Sequence, residues 1–319
     1  MEGAARLLLA IATSWGCATA AGVVRSRPWG RAASWCLVPA VLACPLLIPS
    51  GNLALRAAAA CVSADLAFKM VDVFRHRGRD GPALGEYVRF LVPFPVFAVV
   101  YPDHRRRLAR PDRPWPHALR ILGGLAGVGL GILLAVAKRD APAFRSSFPL
   151  DHAAMLVLFV LTIESLSQVL YGLERLAGYD VSPIIRLAFV SRSVSEFWRR
   201  YNGRVHDWLH RNVFRASGGG RRPARGLVLV FLVSGLFHEV MFDMATSKIT
   251  GDQLVFFLIQ APPALASRWF ERLARQRGIA GRVVAHGLTI LFLSAASVLF
   301  FRGVSDVFPF IYARRPPLP

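Results

Sequence analysis

Apolar runs of membrane-crossing length recur along the whole chain, and that recurrence constrains the fold more than any motif does. They occupy residues 7–24, 33–48, 55–74, 119–137, 151–171, 226–242, 253–267 and 283–301. Most approach the roughly 20 residues that a helix needs to traverse hydrocarbon. The runs are continuous and do not alternate, which argues against a membrane barrel of strands. With 54% hydrophobic residues and a mean hydropathy of +0.43, the expected fold is all-α, a polytopic helical membrane protein. A single membrane-embedded domain over 1–319 is expected, with about eight transmembrane helices and both termini on the outer side.

The net charge of +20 invites a nucleic-acid reading, but its distribution speaks against one. Arginines cluster between the apolar runs, as at 75–80, 103–113, 191–225 and 271–282. That is the pattern of loops retained on the cytoplasmic side. The partner implied is a lipid bilayer, with no nucleic acid. Cys17, Cys36, Cys44 and Cys61 lie in or beside apolar runs without metal-ligand spacing, so they read as small buried thiols. No metal site is expected.

Three segments depart from plain spans. Asp65 and Lys69 stand four apart in the third run, on one helical face, where they can pair. The run 90–101 is short, broken by Pro93 and Pro95, and flanked by basic residues, which suggests a re-entrant or interfacial segment. Glu164, Ser165, Ser167 and Gln168 must face the bundle interior, either lining a cavity or packing between helices.

The motif core is 193–239. Its first part, 193–214, places Val194, Phe197, Trp198, Tyr201, Val205, Trp208 and Leu209 at helical spacing. Glu196, Arg199, Arg200, Arg204, Asp207, His210 and Arg211 fall on the other face, which describes an amphipathic helix in the membrane interface. After an arginine- and glycine-rich loop, the run 226–242 carries His238 and Glu239 in Ser234-Gly-Leu-Phe-His-Glu. An ionisable pair inside a span is costly and usually functional. A neutral imidazole there can take a proton from a hydroxyl. Ser234 and Gly235, one turn earlier, leave room for a substrate, and Glu239 could orient a neighbouring group or the imidazole itself.

Phe197-Trp198-Arg199-Arg200-Tyr201-Asn202 followed by Ser234-Gly-Leu-Phe-His238-Glu239 resembles the membrane-bound O-acyltransferase superfamily, and more narrowly its wax synthase branch. Members of that branch commonly have a Trp where this chain has Tyr201. The resemblance implies acyl transfer from acyl-coenzyme A, as substrate and not as bound cofactor, to a hydroxyl of a lipophilic alcohol. His238 would be the general base and Asn202 would position or polarise the thioester. Trp198, Tyr201, Ser234 and Glu239 would line the substrate, and Arg199 and Arg200 would meet phosphates of coenzyme A. Wax ester synthesis is the first expectation; diacylglycerol, a sterol or a specialised metabolite are alternative acceptors. The rival from another class is a transporter or lipid-binding protein using Asp65, Glu164 and His238 as a polar pathway.

Overall fold

The structure is a computed structural model and describes residues 2–25, 27, 30–76 and 82–313. Thirteen α-helices are found among the described residues, and no strand. In chain order they are α1 (Glu2–Arg25), α2 (Gly30–Ala43), α3 (Leu53–His76), α4 (Leu84–Leu91), α5 (Pro114–Lys138), α6 (Pro142–Ser146) and α7 (Phe148–Leu176). Then come α8 (Val194–Tyr201), α9 (Gly203–Leu209), α10 (Pro223–Thr246), α11 (Asp252–Leu258), α12 (Ala261–Gln276) and α13 (Gly278–Val307). The all-α expectation is met.

Five of these helices, α1, α5, α7, α10 and α13, are long and apolar enough to cross a membrane. The other three expected spans differ from simple crossings, each for a local reason. Run 33–48 becomes a 14-residue helix with Pro39 inside it, prolonged by a tighter turn from Cys44 to Leu47. Run 55–74 forms the 24-residue α3, but Arg56, Asp65, Lys69 and Asp72 lower its apolarity, and all four are buried. Run 253–267 is split: α11 stops at Leu258, and α12 begins at Ala261 with Pro262 and Pro263 in its first turn. Proline at a helix start sacrifices only an N–H that is unpaired anyway, so a new helix begins there.

The first four helices enclose one core, built on Ala18, Val41, Leu66, Met70, Phe90 and Leu91. Inside it, Lys69 Nζ lies 2.8 Å from Asp65 Oδ2 and donates to the Val92 carbonyl at 2.8 Å, so the expected pair forms. The proline-broken run after α4 is irregular, with cis bonds at Phe94-Pro95 and Tyr101-Pro102. The basic segment 75–80 falls mostly outside the described residues.

Helices α5 and α7 form a tight hairpin. A Cβ on Gly124 would come within 2.6 Å of Val169, and one on Gly127 or Gly131 would collide with the hydroxyls of Ser165 or Thr162. Without a hydrophobic drive between helices in lipid, such close approach is what associates them.

Two buried carboxylates organise the end of the bundle where the arginines cluster. Asp72 of α3 pairs with Arg211, accepts from Asn212 Nδ2 at 2.8 Å and from the Tyr101 N–H at 2.9 Å. Glu174 of α7 takes two bonds from Arg204, at 2.8 and 2.5 Å, and one from the Val96 N–H at 2.6 Å. Both carboxylates are fully buried. Arg204 and Arg211, expected on a solvated face, are therefore turned inward by charges that their own helix does not reveal.

Candidate active site

The segment 193–214 is not one helix. It breaks at Asn202, whose φ of −149° and ψ of 83° end α8 and start α9. The Asn-Gly dipeptide at 202–203 is a turn signal that accounts for the break. Ser193 caps α8 by accepting from the Glu196 N–H at 3.1 Å, while Glu196 reaches back to the Arg192 N–H at 2.9 Å. This Ser-x-x-Glu pattern is a helix-start signature that an unbroken amphipathic reading passes over.

Helix α8 is inserted among α10, α11 and α12 and does not lie on the rim of the bundle. Val194 is buried with Phe231, Phe256, Phe257, Ala261 and Ala264, and Trp198 packs against the same cluster. Polar anchors fix the seat: the Ser195 hydroxyl donates to the Ala264 carbonyl at 2.9 Å, and the Ser195 N–H to the Ser267 hydroxyl at 3.2 Å. Phe197 and Tyr201 turn the other way, onto Ile184, Ile185 and Ala188. Burial pushes the Tyr201 phenol up to about 12, so it stays neutral and can donate. On α9, the Trp208 indole N–H donates to the Phe68 carbonyl of α3 at 2.9 Å, tying the segment to the first bundle.

His238 lies about 22 Å along α10 from Pro223, taking the rise per residue of a regular helix. Its ring centroid is 4.4 Å from that of Phe257, and Phe300 and Phe237 stand at 6.1 and 6.3 Å. Trp198 sits 5.2 Å from the same Phe257. The two motifs therefore meet through one aromatic ring, because α8 dips into the bundle. Nδ1 of His238 is 2.8 Å from the Ser234 carbonyl oxygen, an acceptor only. Nδ1 must then carry the proton, which leaves Nε2 with a free lone pair.

Asn202 Oδ1 accepts from the Val205 N–H at 3.2 Å. It is a helix cap, and that bond identifies the oxygen and fixes the amide plane, leaving Nδ2 as the free donor. Ser234 is buried and contributes its carbonyl to His238. Gly235 lets α11 approach closely, since a Cβ there would sit 3.0 Å from Leu254 Cα.

Glu239 does not orient the imidazole. It accepts from the N–H groups of Gly251, Gln253, Leu254 and Thr250 at 2.5, 3.0, 3.1 and 3.2 Å, and so caps the start of α11. Adjacent helical residues point about 100° apart, which sends this carboxylate away from the ring beside it. Arg200 is held by Glu196 at 2.7 Å, whereas Arg199 is exposed.

Sequence reasoning missed Gln253 and Gln260, which are 1% and 0% exposed. Among the described residues neither amide atom of Gln260 has a partner, nor does Oε1 of Gln253 or the indole N–H of Trp198. Such groups in an apolar cluster are expensive and normally find partners. The signal was a pair of glutamines inside an apolar run.

The polar group on α7 divides: Ser167 is buried in packing, whereas Glu164, Ser165 and Gln168 line a groove against α5. Ser167 accepts from the Ile185 N–H at 3.0 Å, Glu164 from the Leu187 N–H at 3.0 Å, and Gln168 from Arg120 at 2.9 Å.

The family model of membrane-bound O-acyltransferases matches residues 143–295, a range that includes both motifs and their aromatic junction. A probable alginate O-acetylase, AlgI, of Pseudomonas putida is 30% identical over 80 residues, 24% of this chain and 16% of that protein. A probable sterol O-acyltransferase 1 of Schizosaccharomyces pombe is 38% identical over 69 residues, 21% of this chain and 13% of that protein. A probable long-chain-alcohol O-fatty-acyltransferase 9 of Arabidopsis thaliana is 29% identical over 92 residues, 26% of this chain and 27% of that protein. Each match thus spans a small part of the relative's length. On the two motifs, their meeting at Phe257 and the family match over 143–295, just under half of its length, the chain is similar to the membrane-bound O-acyltransferases.

Proposed function

We propose that the protein transfers a fatty acyl group from acyl-coenzyme A to the hydroxyl of a lipophilic alcohol, with wax ester synthesis as the first assignment. The observation that carries this reading is His238: its Nδ1 is committed to Ser234, and its free Nε2 lies in an aromatic surround. Nε2 takes the proton of the acceptor hydroxyl as the oxygen attacks the thioester carbonyl. The carbon–sulfur bond then breaks, and the thiolate of coenzyme A recovers that proton. No acyl-enzyme is needed. Asn202 Nδ2, held by the cap through Oδ1, would donate to the thioester oxygen as negative charge develops there.

The relatives act on acceptors as different as alginate and sterols, as their names state. Phe237, Phe257 and Phe300 around His238 favour a lipophilic acceptor over a polysaccharide. Arg199, exposed on α8, is available for phosphates of coenzyme A, whereas Arg204 and Arg211 are not. The loop 216–222 and the arginines around it would face the cytoplasm, where acyl-coenzyme A is found. The test is the purified protein in lipid with labelled acyl-coenzyme A and separate long-chain alcohol, sterol and diacylglycerol acceptors. An ester formed with the alcohol supports the assignment. Esters with another acceptor alone would move it within the family, and no ester with any would overturn it.

A further inference from the structure

We propose that the groove between α5 and α7 binds an anionic phospholipid from the leaflet on the arginine-rich side. The groove has a volume of about 360 Å³ and shares no residue with the His238 junction. Its walls are Leu119, Val160, Leu161 and Phe189, and its floor is Gly123 and Gly124. A phospholipid is larger than this volume. The groove suits a headgroup and the upper part of one chain, with the remainder lying in the bilayer.

Arg120 supplies the charge that selects the ligand. It is exposed on a helix built to cross a membrane, where an uncompensated cation is costly. Its guanidinium donates to Gln168 at 2.9 Å and lies 5.5 Å from the Tyr171 ring; both partners are neutral, and it forms no ion pair among the described residues. Gln168 and Tyr171 lie nearer the arginine-rich end of α7 than the rest of the lining, so the side chain is drawn toward headgroup level. Trp115, five residues earlier on α5 and 61% exposed, sits where interfacial tryptophans anchor helices. A phosphodiester at this height gives Arg120 the counter-charge that the protein withholds.

Glu164, one turn deeper than Gln168, could repel an anion. It is already bonded to the Leu187 N–H, and its depth places it beside the neutral glycerol ester region of a lipid. The same loop also touches the catalytic segment, since the Arg186 N–H donates to the Arg200 carbonyl at 3.0 Å. A lipid seated here would brace α5, α7 and the loop 184–190 against one another.

The experiment uses the full chain in nanodiscs of phosphatidylcholine alone or mixed with phosphatidylglycerol, with retained lipid read by native mass spectrometry. Wild type should retain phosphatidylglycerol in preference to phosphatidylcholine. Arg120→Gln should weaken that retention about tenfold, the size expected for one lost charge-assisted bond. Gly123→Leu should also displace the lipid, because a Cβ there meets nothing within 4 Å and its side chain would fill the groove without disturbing the hairpin. Arg113→Gln, an exposed arginine outside the groove, should change nothing. Equal retention of the two lipids by wild type would overturn the proposal. So would a loss in Arg113→Gln equal to that in Arg120→Gln, or phosphatidylglycerol retained at wild-type level by Gly123→Leu.

Discussion

Nδ1 of His238 and the carbonyl oxygen of Ser234 stand 2.8 Å apart, one helical turn along α10. A carbonyl cannot donate, so this contact selects the tautomer that presents Nε2 as a base. His238→Ala should lower turnover by about 10²–10⁴, the usual contribution of a positioned proton acceptor. The ring is not among the buried core side chains of α10, so the folded yield should stay near wild type. Turnover per folded molecule, with yield followed by size-exclusion chromatography, checks both. Full activity in well-folded His238→Ala would remove the base from the mechanism.

Asn202 has two roles that one substitution can separate. Asn202→Asp keeps an oxygen for the Val205 N–H and loses the amide donor, whereas Asn202→Ala loses both. Asn202→Asp should fold as wild type yet turn over about 10²–10³ more slowly, the loss typical of a donor to a developing oxyanion. Asn202→Ala should add a stability loss of about 1 kcal/mol for the missing cap. Thermal unfolding and turnover measured on the same samples decide. Normal turnover in Asn202→Asp would reduce this residue to a cap.

The Arg204–Glu174 pair should behave as a buried ion pair. Arg204→Ala strands a fully buried carboxylate and should cost about 3–5 kcal/mol. Removing both charges with Arg204→Met and Glu174→Leu should recover much of that loss. A double-mutant cycle on unfolding in detergent measures the coupling. If the double substitution were as unstable as Arg204→Ala, the cost would come from lost packing and not from the stranded charge.

Sidedness can be read with thiol chemistry. Cys36 and Cys61 are exposed and would react themselves, so the four native cysteines must first be replaced. A single cysteine at Gly220, where a Cβ meets nothing within 4 Å, should then label only from the cytoplasmic side. Labelling from outside would reverse the orientation and the route by which coenzyme A arrives.

The apolar runs announced α1, α5, α7, α10 and α13 because a long uninterrupted stretch has few alternatives in lipid. What the runs concealed were interruptions. Asn202-Gly203 and Pro262-Pro263 each divide a continuous hydrophobic pattern, and a period count averages over them. The motif residues gave the two halves of the site but not their junction. Phe257 joins Trp198 to His238 from a helix whose own sequence reads as ordinary core. Arg204 and Arg211 looked solvent-facing, since the carboxylates that turn them inward lie 30 and 139 residues away.

The carboxylate of Glu239, set against the first N–H groups of α11, gives α10 a fixed phase. His238 is aimed at Phe257 and Glu239 at the turn through Thr250 and Gly251, so consecutive positions serve two different neighbours. Neither can be corrected alone by sliding or rotating the helix. Inserting one alanine between Phe231 and Ser234 would turn everything beyond it by about 100°. The base would then leave its aromatic partner as the cap left α11, and chemistry and folding would fail together. Point substitutions at the same two positions should let them fail separately.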